Sequence, residues 1–286
     1  MSVRSVVRTL PAQRAVEGDG FVVRRPFPVP GVDLVDPFLL LDHMGPVDHG
    51  PGEAVGTPVH PHRGFETVTY LLDGELQHRD SLGNEGVLRA GDTQWMTAGR
   101  GVLHEEGPTP RFLSEGGRLH GVQLWVNLPA AQKMIPPAYQ DLTADAVAVG
   151  RPADGVTVRV VAGEAFGLIG PGSTHTPITY SHLTLAPGAA VAGPMDPEHT
   201  VLVYPLVGPV AVGGRTLSES ELGVLGPGDT VELTGAGDDA GEPSEVIVLS
   251  GQPLREPVAR YGPFVMNTRQ ELIEAIEDVQ QGRFGG

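Results

Sequence analysis

From Val59 onward, short runs rich in Val, Leu and Thr recur about every 8–12 residues, each closed by a turn. Thr67 to Leu72, Gly74 to Arg79, Gly86 to Arg89, Thr93 to Thr97 and Val122 to Val126 keep this rhythm. Asp73-Gly74, Leu82-Gly83-Asn84 and Ala90-Gly91-Asp92 supply the turns between them. Such spacing favours an antiparallel sandwich or barrel. Nearly all of the 40 Gly and 27 Pro lie between the runs, where they punctuate many turns rather than mark disorder. Apolar residues make up 40% of the chain, enough for real cores, and only 5% is aromatic, so those cores should be aliphatic.

The 286 residues are enough for two domains of about 130–150 residues each. Asp36 to Leu41 reads as a buried strand entered from a turn, and residues 42–58, rich in Gly, Pro and His, as a long loop. Residues 127–140 carry three prolines and read as a linker. The strand rhythm restarts at Val156 and runs to Leu249. The expected organisation is a metal-binding domain over 1–133 and a second domain over 134–286. Gly86 to Thr93 closely resembles Gly223 to Thr230, which suggests a duplication. A helix is expected only at the end, capped by Thr268, with Leu272, Ile273, Ile276 and Val279 as its apolar stripe and Gly282 as its stop. The fold class is therefore all-β: two tandem antiparallel β-barrels with a short C-terminal α-helix.

With no Cys, disulfides, thiolate metal sites and cysteine nucleophiles are excluded. The net charge of −16 and the absence of a Lys/Arg cluster argue against direct nucleic-acid binding. No run approaches the ~18–20 apolar residues that cross a bilayer, and the first residues lack a signal-like apolar stretch. These features predict a soluble, cytoplasmic protein.

Two histidine-bearing segments carry the chemistry. In His60-Pro61-His62 both imidazoles project from one face of a strand and can reach one point. In His104-Glu105-Glu106, about forty residues later, His104 and Glu106 share the same parity. Placed on facing strands of a small barrel, the pairs offer three nitrogens and one oxygen. That set suits Fe(II), Mn(II), Ni(II), Cu(II) or Zn(II) and leaves positions free for substrate, water or dioxygen.

Gly56, His60, His62, Glu66 and Gly74 follow the first cupin motif, and Gly91 through His104 approximates the second, with Thr97 where proline is usual. DPFLLLDHM, HPHRGFETVTYLLDGE, DTQWMTAGRGVLHEE, GVQLWVNLP and PLREPVARYGPFVMNT resemble the pirin family over residues 36–268. The resemblance implies two cupin (jelly-roll) domains and one metal, commonly iron, held by His60, His62, His104 and Glu106 in the N-terminal half. In the general cupin pattern the oxygen ligand is instead the first-motif glutamate, here Glu66. That residue stands as the alternative ligand, or as one that orients a ligand or a core strand. No equivalent set occurs after residue 134, where His175, His182 and His199 are scattered, so the second cupin reads as metal-free.

Packing is the expected role of Trp95, Met96 and Trp125, although Gln123 and Trp125 share a parity that could face the cavity. Loop or packing roles are expected for His43, His49 and His120, and ion pairing for Arg63 and Arg100. Proteins similar to pirin oxidise flavonols such as quercetin by a 2,3-dioxygenase reaction. The resemblance therefore implies a flavonol-like substrate and dioxygen, with Glu106 taking the hydroxyl proton. Other members are described as metal- or redox-dependent regulators that bind a transcription factor or a metabolic enzyme, and this is the alternative function.

Overall fold

The computed structural model describes residues 2–237 and 241–284. It divides into two compact units, Met1–Gln13 with Pro26–Pro37 and Asp145–Pro253, and Arg14–Arg25 with Phe38–Ala144 and Leu254–Gly286. These are not the contiguous stretches 1–133 and 134–286. Residues 127–140 are no free linker: Ala138–Leu142 pairs with Thr93–Thr97 as an edge strand, and Lys133 is 1% exposed. The prolines there end strands instead of separating domains.

The unit that carries the histidines has a seven-stranded sheet. Its order is Ala138–Leu142, Thr93–Thr97, Phe65–Asp73, Gly117–Asn127, Phe38–His49, Phe21–Phe27 and Gln13–Glu17. A four-stranded sheet, ordered Thr57–His62, Val102–Pro108, Glu75–Asp80 and Glu85–Arg89, completes it. Strand Phe38–His49 runs through much of the tract expected to be a loop. Gly45, at φ +72, makes this possible where the register with Gly117–Asn127 shifts. A Cβ there would meet the Leu119 carbonyl oxygen at 2.1 Å.

The other unit repeats the plan. Seven strands run Val6–Pro11, Glu221–Leu225, Thr200–Val207, Ser244–Gly251, Ile178–Leu185, Val156–Ala162 and Ala148–Gly150, beside a four-stranded sheet. The matched octapeptides are nevertheless not equivalent. Gly86 to Thr93 leads from a four-stranded sheet into a seven-stranded one, whereas Gly223 to Thr230 leads the opposite way. A glycine-aspartate turn is local chemistry, and it recurs wherever a strand must reverse.

Two helices lie among the described residues. Arg269–Gln280 has the full capping box, Thr268 accepting from the Glu271 N–H while Glu271 accepts from the Thr268 N–H. Its buried face is Leu272 and Ala275 with Ile276 and Val279, packed on Phe264, Met266 and Phe284, while Ile273 turns outward. Six residues, Pro110–Glu115, form a second helix that the sequence did not lead us to expect, capped by Thr109 and opened by proline. Among the described residues no helix is long and apolar enough to cross a membrane.

Candidate metal centre

Strands Thr57–His62 and Val102–Pro108 pair antiparallel, with His60 opposite His104 and His62 opposite Val102. The two motif segments are thus hydrogen-bonded neighbours in one sheet, not strands facing each other across a barrel. Direct and diagonal neighbours on one face come within side-chain reach, and three imidazoles converge here. Ring centres of His60 and His104 lie 4.3 Å apart, and those of His62 and His104 4.9 Å apart. His60 Nε2 and His62 Nε2 are 2.9 Å apart. Among the described residues this is the group whose ligand atoms all lie within 4.8 Å of one another and can hold a metal ion.

The ring chemistry fits a cation. His60 Nδ1 lies 2.8 Å from the Pro58 carbonyl oxygen, which can only accept, so Nδ1 carries the proton and Nε2 presents a lone pair. His104 is 1% exposed and neither of its nitrogens has a hydrogen-bond partner. Burial pushes the His104 pKa down to about 4, and burial followed by the neighbouring His104 and His60 holds His62 well below the usual imidazole range. Both rings are neutral near pH 7, the state in which imidazole binds a metal.

Glu106 lines the same cavity as His60 and His62 but stands outside the cluster. A register shift separates it from His104, and its carboxylate accepts from Thr69 Oγ1 at 3.3 Å and from Gln123 Nε2 at 3.1 Å. Gln123 and Trp125 do face this cavity, as their parity allowed. Trp125 packs edge-on to His62 with ring centres 5.2 Å apart and lies 4.3 Å from Phe65.

Glu66 faces away. Its parity with His60 and His62 would hold only if one strand ran through, but Arg63 and Gly64, at φ +89, turn the chain between two sheets. Phe65 consequently lies against His62, and Glu66, next in the strand, projects from the opposite face onto the Thr97 hydroxyl at 2.8 Å. Burial, partly offset by Thr97 and Trp95, pushes its pKa up to about 7.

That shift has a stability consequence. The folded protein holds the Glu66 proton more tightly than the unfolded chain, so folding is favoured most below the unfolded pKa near 4.5. The advantage is lost as pH rises through about 7. Glu66→Gln is expected to remove the dependence. Between pH 5 and pH 8 the wild type should lose about 2–3 kcal/mol relative to the variant, measured by urea unfolding at both pH values. Parallel profiles would contradict it.

His43 and His120 do not line the cavity: they meet at 2.9 Å on the sheet face opposite Asp42 and Met44. Arg63, 4% exposed, donates to Asp278 at 2.9 Å, the ion pairing expected of it. In the other unit, Val158, Val160, Leu183, Val201, Val203 and Val248 belong to a buried aliphatic core. There His182 Nε2 lies 2.6 Å from Glu245, and His199 Nδ1 lies 3.0 Å from the Ser250 hydroxyl. No sequence pattern singles out Lys133, whose Nζ donates to the Gly64 and Val265 carbonyls and to Asn127 Oδ1 at 2.7–2.9 Å.

The pirin family model matches residues 20–126, and that of the pirin C-terminal cupin domain matches residues 180–285. Pirin of Rattus norvegicus is 40% identical over 290 residues, covering 99% of this chain and 94% of its own. The chain belongs to the pirin family. A Pseudomonas aeruginosa protein provisionally named a quercetin 2,3-dioxygenase is 45% identical, over 96% of this chain and 95% of its own. Among solved structures, a quercetin 2,3-dioxygenase from Acinetobacter baumannii superposes with a TM-score of 0.90 at 37% identity, covering 100% of this chain and 99% of its own. Membership accounts for the repeated seven-plus-four sheet plan as two cupin domains.

Proposed function

We propose that this chain is a metal-dependent dioxygenase acting on flavonols, with the ion held by His60, His62 and His104 and with Glu106 as base. One observation carries the reading. His60 and His62 of the imidazole cluster border, with the Glu106 carboxylate, a single cavity of about 430 Å³, within the usual range for small-ligand sites. Trp125 and Leu40 offer it apolar surface, and the Arg260 guanidinium lies 4.9 Å from the centre of the Trp125 ring. A planar, anionic aromatic suits such a lining.

We assign Fe(II) as the ion, in a donor set that also accepts Mn, Ni, Cu or Zn. When bound, it supplies Lewis acidity and open positions that bring substrate and dioxygen together. Glu106 accepts the proton of the flavonol hydroxyl, and the Arg25 and Arg260 guanidinium groups that line the same cavity favour the resulting anion. The similarity to proteins named quercetin 2,3-dioxygenase supports the choice of substrate.

The test is the loss of quercetin's visible absorption under air with metal-loaded protein. Turnover that falls about 100-fold or more in His62→Ala is the expected result. Metal-loaded wild-type protein that leaves quercetin unchanged would overturn the substrate assignment and favour a redox-dependent regulator.

A further inference from the structure

By sequence position Arg260 belongs with the second strand-rich stretch, but the structure places it at the metal cavity. Residues Leu254–Gly286 fold with the histidine-bearing unit. There Ala259–Tyr261 and Phe264–Met266 form a two-stranded hairpin, with Arg260 opposite Val265. The hairpin is anchored beside the imidazole cluster. The Val265 N–H donates to the Arg63 carbonyl at 3.0 Å, and Lys133 Nζ donates to the Val265 carbonyl at 2.9 Å. Arg63 directly follows His62 in the chain, so hairpin and cluster are fixed to the same turn.

The side chain is held as firmly. Arg260 is half-buried, donates from Nη1 to the Leu39 carbonyl at 3.1 Å, and lays its guanidinium 4.9 Å from the centre of the Trp125 ring. Trp125 in turn packs edge-on to His62, so one indole separates the guanidinium from the cluster. The charge is felt there, as one of the causes that hold the His62 pKa down. Arg25, the other guanidinium of the cavity, is placed differently. It gives Nε to Asp42, and Nη2 to both Asp42 and Glu17, at 2.5–2.7 Å, so a further anion there has to displace a carboxylate. The Leu39 carbonyl and the Trp125 face orient the Arg260 guanidinium and carry no formal charge to cancel its own.

We infer that Arg260 is a specificity-determining residue, and that the cavity selects aromatic substrates carrying an anionic substituent on the ring remote from the reacting hydroxyl. That group is brought in by the substrate and is distinct from the anion that forms beside Glu106. The inference rests on the functional reading proposed above. The chain as a whole carries a net charge of −16, so long-range attraction works against an anionic ligand. A preference for one has to come from a local cation.

Charge is isolated by comparing two ligands of one shape, quercetin sulfonated on its catechol ring and the corresponding neutral sulfonamide. Their affinities for the Zn(II)-loaded full chain are measured by equilibrium dialysis under argon, so that no turnover intervenes. Wild-type protein should bind the sulfonate about tenfold more tightly than the sulfonamide. Arg260→Gln should bring that preference to within about twofold while sulfonamide affinity stays within about threefold. Arg260→Lys, which keeps the charge, should retain part of the preference. A purely structural role would weaken both ligands alike.

No preference in wild-type protein, or an equal preference in Arg260→Gln, would overturn the inference. Should Arg260→Gln fail to fold, Arg260→Met, whose stem still covers the indole, carries the same test. Should neither flavonol bind, hydroxynaphthoate and its amide replace them, with the same two outcomes. The two readings fail separately. An Arg260-dependent preference without quercetin turnover in air keeps the role of Arg260 and removes the reaction, whereas turnover with a preference indifferent to Arg260 removes the inference alone.

Discussion

Replacing His104 with alanine is expected to abolish stoichiometric binding of a divalent ion, lowering affinity by about 100-fold or more. The ring lies directly opposite His60 in the strand ladder, with its centre 4.3 Å from that of His60 and 4.9 Å from that of His62. Removing it leaves two imidazole donors, His60 and His62, facing a cavity, and two monodentate donors hold a divalent ion far less tightly than three. The change should cost little in folding, because both nitrogens of His104 are already buried without hydrogen-bond partners. His120→Ala is the matched control. It removes another buried imidazole, 4% exposed and paired to His43, and is expected to leave the bound ion in place. Metal analysis after dialysis, with chelator competition for the affinity, measures both.

Lys133→Met should destabilise the protein by about 3 kcal/mol, lowering Tm by about 6–12 °C. Burial depresses the pKa of this lysine to about 8, so holding the charge there is unfavourable by itself. Three donations, to the Gly64 and Val265 carbonyls and to Asn127 Oδ1, offset that penalty. Methionine fills the space but donates nothing. Gly64 belongs to the turn between the His62 strand and the Phe65 strand, and a Cβ there would meet the Val265 oxygen at 2.0 Å, so the backbones touch at this point. Loosening the turn should move His62, and metal affinity is expected to fall together with Tm. Thermal unfolding and chelator competition on one preparation check the two effects. A stable variant would show that the lysine holds nothing the fold requires.

Much of the site is legible in the sequence because strand geometry is simple. His-x-His on one strand and His-x-Glu on another need only period-two alternation to put their side chains on one face, and the three imidazoles meet accordingly. The same rule misplaces Glu66, because counting parity across Arg63-Gly64 assumes an unbroken strand where the chain turns between sheets. It also says nothing of Glu106's rotamer, which depends on Gln123 from the other sheet, more than fifteen residues on and reached only through tertiary structure. Apolar periodicity found the terminal helix but chose Ile273 over Ala275 for the buried face, because a close contact with neighbouring strands favours a small side chain that hydrophobicity counts undervalue. Lys133 escapes sequence reasoning for a related cause. A buried lysine becomes tolerable only when carbonyls from distant segments gather around it, and no local pattern announces that.

The most direct test of the three-imidazole centre is anomalous diffraction from crystals of the full chain soaked in Fe(II) or Ni(II). One peak per chain is predicted, about 2.0–2.2 Å from a ring nitrogen of each of His60, His62 and His104. A peak at His43 and His120 instead, or none at the three histidines in a crystal that has taken up the ion elsewhere, would contradict the account.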